Sequence, residues 1–306
     1  MLQRLSLSLL VCLSLPAVAD PCNALLKLSY PDVEMVSAEH MNEPVPYCKA
    51  KGVIGGNIGF SLWLPHDWNG RFVMGGAGGF VREEDNQALR FIGDSVLRKG
   101  YATASTDTGH KGDGLDNEWG LNDYEAIVNY GYLAMHRAVV SSKAVIADHY
   151  QKPIEKSFFV GCSNGGRQAL HEAQKYPNDF DGIVAGAPAL NFAGVAGSFL
   201  SITEKMFPDP HDLSSALVTP DDRQLLRRSI LNACDANDGL KDGILHDPTS
   251  CDFDPASLMC EPGQEENCLS AEKVTAIQTV YAGPQNDAGA IFVGFPFGAE
   301  DLDQNG

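Results

Sequence analysis

The sequence predicts an α/β fold, a core with a mainly parallel sheet that gives way to an inserted, helix-rich segment. Three observations predict it. Strand-like runs alternate with helical stretches between about residues 54 and 188. A G-x-S-x-G pentapeptide lies between one of those runs and the helix after it. From roughly Leu190 onward strand signals fade, and prolines and closely spaced cysteines take their place.

The chain opens with Arg4 and a short run of Leu, Ser and Val, and reaches Ala17-Val18-Ala19 before Asp20. A basic start, a brief apolar run and A-x-A predict a secretory signal over residues 1–19. The run is too short to span a bilayer, and no later stretch is longer and equally apolar. The expected organisation is then residues 20–190 as the core and 191–306 as the insertion, in a soluble protein that is secreted or periplasmic. A net charge of −18 argues against nucleic acid as a partner, because phosphates need a basic surface.

Cys12 falls within the predicted signal, which leaves Cys22, Cys48, Cys162, Cys234, Cys251, Cys260 and Cys268. Cys234/Cys251 and Cys260/Cys268 are close enough in sequence to close small loops, and Cys22 and Cys48 share the N-terminal segment. Cys162 is left over, either as a buried free thiol or as a residue whose partner is not in this sequence.

Residues 54–64 (IGGNIGFSLWL) and 71–74 (RFVM) read as strands about a Pro-His-Asp-Trp-Asn-Gly turn. Gly75-Gly76-Ala77-Gly78-Gly79 follows. It lacks G-K-[ST], so it is no P-loop; it is either a flexible turn or a backbone N–H donor loop. Residues 87–99 read as a helix and 101–105 (YATAS) as a strand that runs into Asp107 and His110. Those two precede the serine, the wrong chain order for the base and acid of this fold, and are expected to fix the loop instead. Residues 124–150 predict one long helix with Val128, Tyr132, Met135 and Val139 on its core face.

Residues 157–160 (SFFV) are a strand, GCSNG (161–165) a tight turn and 167–176 a helix. That order is a nucleophile elbow, with small residues on both sides of Ser163 so that the backbone can turn sharply. The alternative is a chance match in a glycine-rich chain. Residues 182–188 then predict a further buried strand, and 220–233 a helix. In the insertion, CDANDGLKDGI (234–244) packs Asp235, Asp238 and Asp242 with two glycines. It suits an oxygen-liganded hard cation but is no EF-hand, because His246 stands where the last glutamate belongs; a solvated acidic loop is the other reading.

These stretches together resemble the tannase/feruloyl esterase family of secreted α/β-hydrolases. The resemblance rests on NGRFVMGGAGGF (69–80), STDTGH (105–110), GCSNGGRQAL (161–170), YPNDFDGIVAGAPA (176–189) and CDANDGLKDGI (234–244). It implies an α/β-hydrolase core with an inserted lid. Ser163 would be the nucleophile, with the backbone N–H of Asn164 and of Gly78 or Gly79 as the oxyanion hole. Asp235, Asp238 and Asp242, with the carbonyls of Leu240 and Ile244, would hold a structural calcium ion. The family's bridges fall on Cys22–Cys48, Cys234–Cys251 and Cys260–Cys268. The family also joins the cysteine before the nucleophile to one that follows the catalytic histidine. No His-Cys dipeptide follows Cys162 here, and His171, His211 and His246 lack the family's context. The sequence reaches Gly306 within what should still be the lid, so the catalytic Asp and His are expected beyond it. The implied activity is hydrolysis of small aromatic esters of the hydroxycinnamoyl or galloyl type. The competing expectations are a calcium-stabilised, non-catalytic phenolic-ester binder and another secreted serine hydrolase.

Overall fold

A computed structural model describes residues 20–81, 85, 94–209 and 211–300. The predicted signal and most of the predicted helix at 87–99 lie outside the described residues; of that helix, α1 (Asp94–Arg98) is described. The chain divides into two compact units between Leu190 and Asn191.

The first unit is built on a seven-stranded sheet. Its strands are β1 (Val33–Met41), β2 (Tyr47–Ile54), β3 (Ile58–Pro65), β4 (Arg71–Gly76), β5 (Ala102–Thr106), β6 (Lys156–Cys162) and β7 (Gly182–Gly186). They lie in the order β1-β2-β3-β5-β4-β6-β7. From β5 through β4 and β6 to β7 the strands run parallel, with Gly76 of β4 opposite Gly161 of β6. On the other flank β1, β2 and β3 pair antiparallel, and β3 pairs antiparallel with β5. Sequence reading missed β1 and β2 and carried one strand through Gly55-Gly56. Both of these glycines have positive φ, 61° and 82°, so the chain turns there and Ile54 faces Ile58 across a hairpin.

Phe60, Leu62, Leu64, Phe72, Met74 and Phe159 point into the core and are fully buried. They pack with Ala138, Val139 and Ile146 of α3 (Ala134–Tyr150), and the Cys22–Cys48 disulfide belongs to the same core. The predicted long helix is interrupted. α2 (Tyr124–Val128) leads into a π-helical turn, Asn129–Leu133, and then into α3. A π turn accommodates one extra residue and so rotates the buried face. Ahead of α3 the buried residues are therefore Ala126, Asn129 and Tyr130, while Val128 and Tyr132 are only partly buried; Met135 and Val139 face the core as expected. The strand expected to be buried at 182–188 is β7, which stands at the end of the sheet order with Val184 60% exposed. Among the described residues it pairs with β6 alone.

The second unit contains α5 (Phe192–Met206), α6 (Pro220–Cys234) and α7 (Ala271–Ala282), with its own core of Val218, Leu226, Ile230, Leu269, Val274 and Ile277. Two disulfides staple it, Cys234–Cys251 and Cys260–Cys268. Closing the 17-residue separation of the first stabilises the unit by roughly 3 kcal/mol in the chain-entropy account. α6 begins with a capping box: Thr219 Oγ1 accepts from the Asp222 N–H at 3.3 Å, and Asp222 Oδ2 accepts from the Thr219 N–H at 2.8 Å. The same oxygen accepts from Lys273 Nζ at 2.6 Å, tying α6 to α7. Burial alone would raise the Asp222 carboxyl, but Lys273 and Thr219 outweigh it and hold the group below its ordinary 3.8. A carboxyl depressed in the folded state adds stability above its unfolded pKa, and that stability is lost as pH falls through the folded value. Chemical denaturation of the wild type should therefore show stability falling as pH drops below about 4, and Asp222→Asn should be less stable at neutral pH with a flatter acid profile. Parallel profiles would contradict this.

Candidate active site

The site is assembled where β4 and β6 end side by side. β6 runs out at Cys162, and α4 (Asn164–Lys175) begins at once. Ser163, between them, has φ 59° and ψ −120°, a region that side chains with a Cβ rarely adopt. Its backbone is held there from both sides. The Ser163 N–H donates to Gly186 O on β7 at 3.0 Å, and Ser163 O accepts from the N–H of Arg167 and of Ala189. The neighbouring glycines leave no room for anything larger. A Cβ on Gly161 would lie 2.3 Å from Gly165 O, and one on Gly165 would lie 2.5 Å from Gly76 O. The hydroxyl-bearing residue is thereby exposed while Asn164, Gly165 and Gly166 behind it are buried.

Asn164 is the first residue of α4, so its N–H has no carbonyl one turn earlier and sits at the positive end of the helix. The glycine loop follows β4 directly. Gly78 is half-buried and Gly79 exposed with φ 58°. A set of side chains joins this loop to the elbow. Asn164 Nδ2 donates to Ala77 O at 3.1 Å. The Tyr130 hydroxyl lies 3.1 Å from Gly79 O and 3.0 Å from Asn164 Oδ1, and donates to one or the other. Arg167 Nε donates to Asn164 Oδ1 at 2.8 Å. The Arg167 fork also caps two carbonyls of the π turn, Gly131 O at 2.7 Å and Tyr130 O at 3.0 Å. Its guanidinium lies 4.8 Å from the Tyr130 ring centroid. Burial raises the Tyr130 phenol and pulls the Arg167 guanidinium down, the second countered by Tyr130 beside it.

Residues 45–306 match the family described as Tannase and feruloyl esterase. The chain belongs to this family. It is 32% identical over 306 residues to an uncharacterized esterase of Xanthomonas campestris pv. campestris, covering 93% of this chain and 52% of that protein. It is 34% identical over 282 residues to the mono(2-hydroxyethyl) terephthalate hydrolase of Piscinibacter sakaiensis, covering 79% of this chain and 46% of that one. The crystal structure of feruloyl esterase B from Aspergillus oryzae superposes with a TM-score of 0.76 at 26% identity, over 92% of this chain and 60% of that one. The fold is thus that of an α/β-hydrolase core. The chain spans about half the length of the curated relatives it matches.

Within this member of the tannase and feruloyl esterase family, the structure separates the other sequence candidates. Asp107 is fully buried and its Oδ1 accepts from the N–H of Gly59 at 2.9 Å and of Gly109 at 2.8 Å, which fixes the turn after β5. His110 is stacked on Trp119 with ring centroids 3.9 Å apart, and burial lowers its pKa. His171 sits on α4 eight residues beyond Ser163, about 12 Å of helical rise away. His211 and His246 are exposed residues of the second unit. Cys162 is a half-buried free thiol. The three predicted disulfides are present.

In the acidic loop each carboxylate accepts one backbone N–H: Asp235 from Gly243 at 3.0 Å, Asp238 from Leu240 at 2.9 Å and Asp242 from Ile244 at 3.1 Å. Each carboxylate has a second oxygen, and Gly239 and Gly243 turn the chain at φ 93° and 79°. All-oxygen donors on such a frame are the chemistry a hard cation takes, although the three carboxylates do not form a tight cluster among the described residues.

Sequence reading missed the roles of Tyr130 and the Asn164 and Arg167 side chains. Arg167 was legible only as a letter of the motif; its place four residues after Ser163, on a helix that must sit against the sheet, was the available signal. Tyr130 carried none, because its position depends on the π turn.

Proposed function

We propose that this chain supplies the nucleophile and oxyanion hole of a secreted or periplasmic carboxylic ester hydrolase that acts on small aromatic esters. The observation that carries the reading is the strained, exposed Ser163 at the N-terminus of α4 beside a clamped glycine loop. Ser163 attacks the ester carbonyl, and a histidine oriented by an aspartate takes its proton; neither partner is assigned among the residues of this chain. The N–H of Asn164 and of Gly78 or Gly79 receive the developing oxyanion, each such donor contributing roughly 3 kcal/mol to the transition state. The alcohol departs, and water releases the acid from Ser163. Aromatic acyl groups are favoured by kinship with proteins named feruloyl esterase and mono(2-hydroxyethyl) terephthalate hydrolase. The second unit serves as the lid. Export is supported by the signal-like start of the sequence and by the three disulfides; no described helix is long and apolar enough to cross a membrane.

Fluorophosphonate labelling followed by peptide mapping tests the reading, with hydroxycinnamoyl, galloyl and terephthalate half-esters run against aliphatic esters and peptides. Modification confined to Ser163 supports the serine mechanism. Failure to label, in a folded protein that still binds phenolic esters and also in a longer chain that supplies base and acid, makes it a non-catalytic binder. Turnover of aliphatic esters or peptides alone makes it another serine hydrolase.

Asp235, Asp238 and Asp242, with the carbonyls of Leu240 and Ile244, would hold a calcium ion that is structural in role. Chelation should then lower the unfolding midpoint of the second unit, and added calcium should restore it by RT ln(1 + [L]/Kd), about 2.7 kcal/mol at a hundredfold excess over Kd. A midpoint indifferent to calcium and chelator would remove the ion from this reading.

A further inference from the structure

A second cluster lies on the helical side of the first unit, away from the elbow. His136 projects from α3, Glu172 from the last turn of α4 and Asp179 from the connection that leads to β7. One donor atom from each comes within 4.8 Å of the other two, the one such trio of metal-ligating side chains among the described residues. His136 Nδ1 is 2.6 Å from Asp179 Oδ2. The imidazole cannot swing freely, because it is stacked on Tyr176 with centroids 3.7 Å apart and planes 6° from parallel.

Glu172 is the informative member. It is 1% exposed, and its Oε2 has no hydrogen-bond donor. A ligand atom of its carboxyl lies within 4.8 Å of one from Asp179 and one from His136, and the Lys143 ammonium also faces it. Two carboxylates this close, one of them buried, are stabilised by something positive between them, either a shared proton or a cation. Lys143, the neighbouring ammonium, donates to the backbone carbonyl of Asp179.

We propose that His136, Glu172 and Asp179 form a binding site for a zinc-class divalent cation, which would pin α3 to the end of α4 and to the β7 connection. The donor set selects the metal class: an imidazole nitrogen with carboxylates suits Zn²⁺, Co²⁺ or Ni²⁺, whereas calcium takes oxygen alone. Bonds of about 2.0–2.2 Å put tetrahedral donors roughly 3.4 Å apart, so the 2.6 Å pair opens by less than about 1 Å. His136 and Asp179 side chains are 29% and 14% exposed, which gives an ion a route in and leaves a fourth position for water. The site is independent of the acidic loop in the second unit and of Ser163.

The tag-free chain, stripped with chelator and held in excess calcium, is titrated with Co²⁺ and then with Zn²⁺. One equivalent of Co²⁺ should give visible d–d bands that Zn²⁺ abolishes, and Zn²⁺ should raise the unfolding midpoint. Glu172→Gln, and His136→Phe, which keeps the stack on Tyr176, should each weaken binding by at least about tenfold. As a check that needs no variant, Zn²⁺ should protect His136 of the wild type from diethyl pyrocarbonate, read by peptide mass spectrometry. The proposal is overturned if no stoichiometric uptake occurs, if both folded variants bind as the wild type does, or if His136 reacts equally fast with and without Zn²⁺.

Discussion

Replacing Ser163 by glycine is expected to make the protein more stable while removing its reactivity. The serine stands at φ 59° and ψ −120°, where a Cβ costs roughly 1–3 kcal/mol and glycine costs nothing. Its backbone hydrogen bonds to Gly186, Arg167 and Ala189 use main-chain atoms, and glycine keeps all three. Equilibrium denaturation should show Ser163→Gly gaining on the order of 1 kcal/mol, reduced by the wider freedom of glycine in the unfolded chain. Fluorophosphonate incorporation should vanish, and ester hydrolysis, measured where the base and acid are also supplied, should fall on the order of a millionfold, as when a serine hydrolase loses its nucleophile. Ser163→Ala separates the two effects: it loses the hydroxyl but keeps the Cβ, so reactivity disappears without the full gain in stability. Equal stability of the glycine and alanine variants would mean that the elbow stores no strain at this residue.

The same elbow shows how unevenly the sequence spoke. Gly161, Ser163 and Gly165 were readable because backbone strain and backbone contact restrict a position to one or two residue types. A hydrogen-bonded strand such as β1 leaves no such mark. Its exposure alternates only loosely, and Glu34, Glu39 and His40 sit among its apolar residues. The hairpin at Gly55-Gly56 was hidden because its apolar flanks read as one continuous run. The π turn is the harder case. Periodicity assumes a constant pitch, so one extra residue between α2 and α3 put Val128 and Tyr132 on the expected core face and left Tyr130 out. Closeness in sequence suggested the disulfide partners, at separations of 26, 17 and 8 residues, and the family resemblance implied the pairing. The trio of His136, Glu172 and Asp179 comes from two helices and a loop, and nothing in local spacing brings it together.

Tyr130 matters because Arg167 holds it, which makes Arg167→Lys the most damaging conservative change expected in the first unit. Arg167 is 6% exposed and its guanidinium spends three donors on three acceptors: Asn164 Oδ1, Gly131 O and Tyr130 O. A lysine carries the same charge but one nitrogen on a flexible stem, and it cannot meet a planar array of three acceptors. Two carbonyls of the π turn would each lose a charge-assisted hydrogen bond beyond those of the helix itself, at about 1–2 kcal/mol each. Denaturant unfolding should therefore show a loss of about 2–4 kcal/mol. The effect should also reach the chemistry. Asn164 Oδ1, freed from Nε, no longer fixes the carboxamide whose other end holds Ala77 O, and the glycine loop is left to drift from the elbow. Fluorophosphonate labelling of Ser163 should slow by roughly a hundredfold, the order of losing one oxyanion donor. Tyr130→Phe keeps the ring under Arg167 and removes only the hydroxyl between Gly79 and Asn164; it should cost about 1 kcal/mol and a smaller part of the rate. If the Tyr130 hydroxyl donates to Asn164 Oδ1 and not to Gly79 O, both residues act through the one carboxamide, and the double variant should label no more slowly than Arg167→Lys alone. Fully additive losses would show that the arginine and the tyrosine support the loop by separate routes.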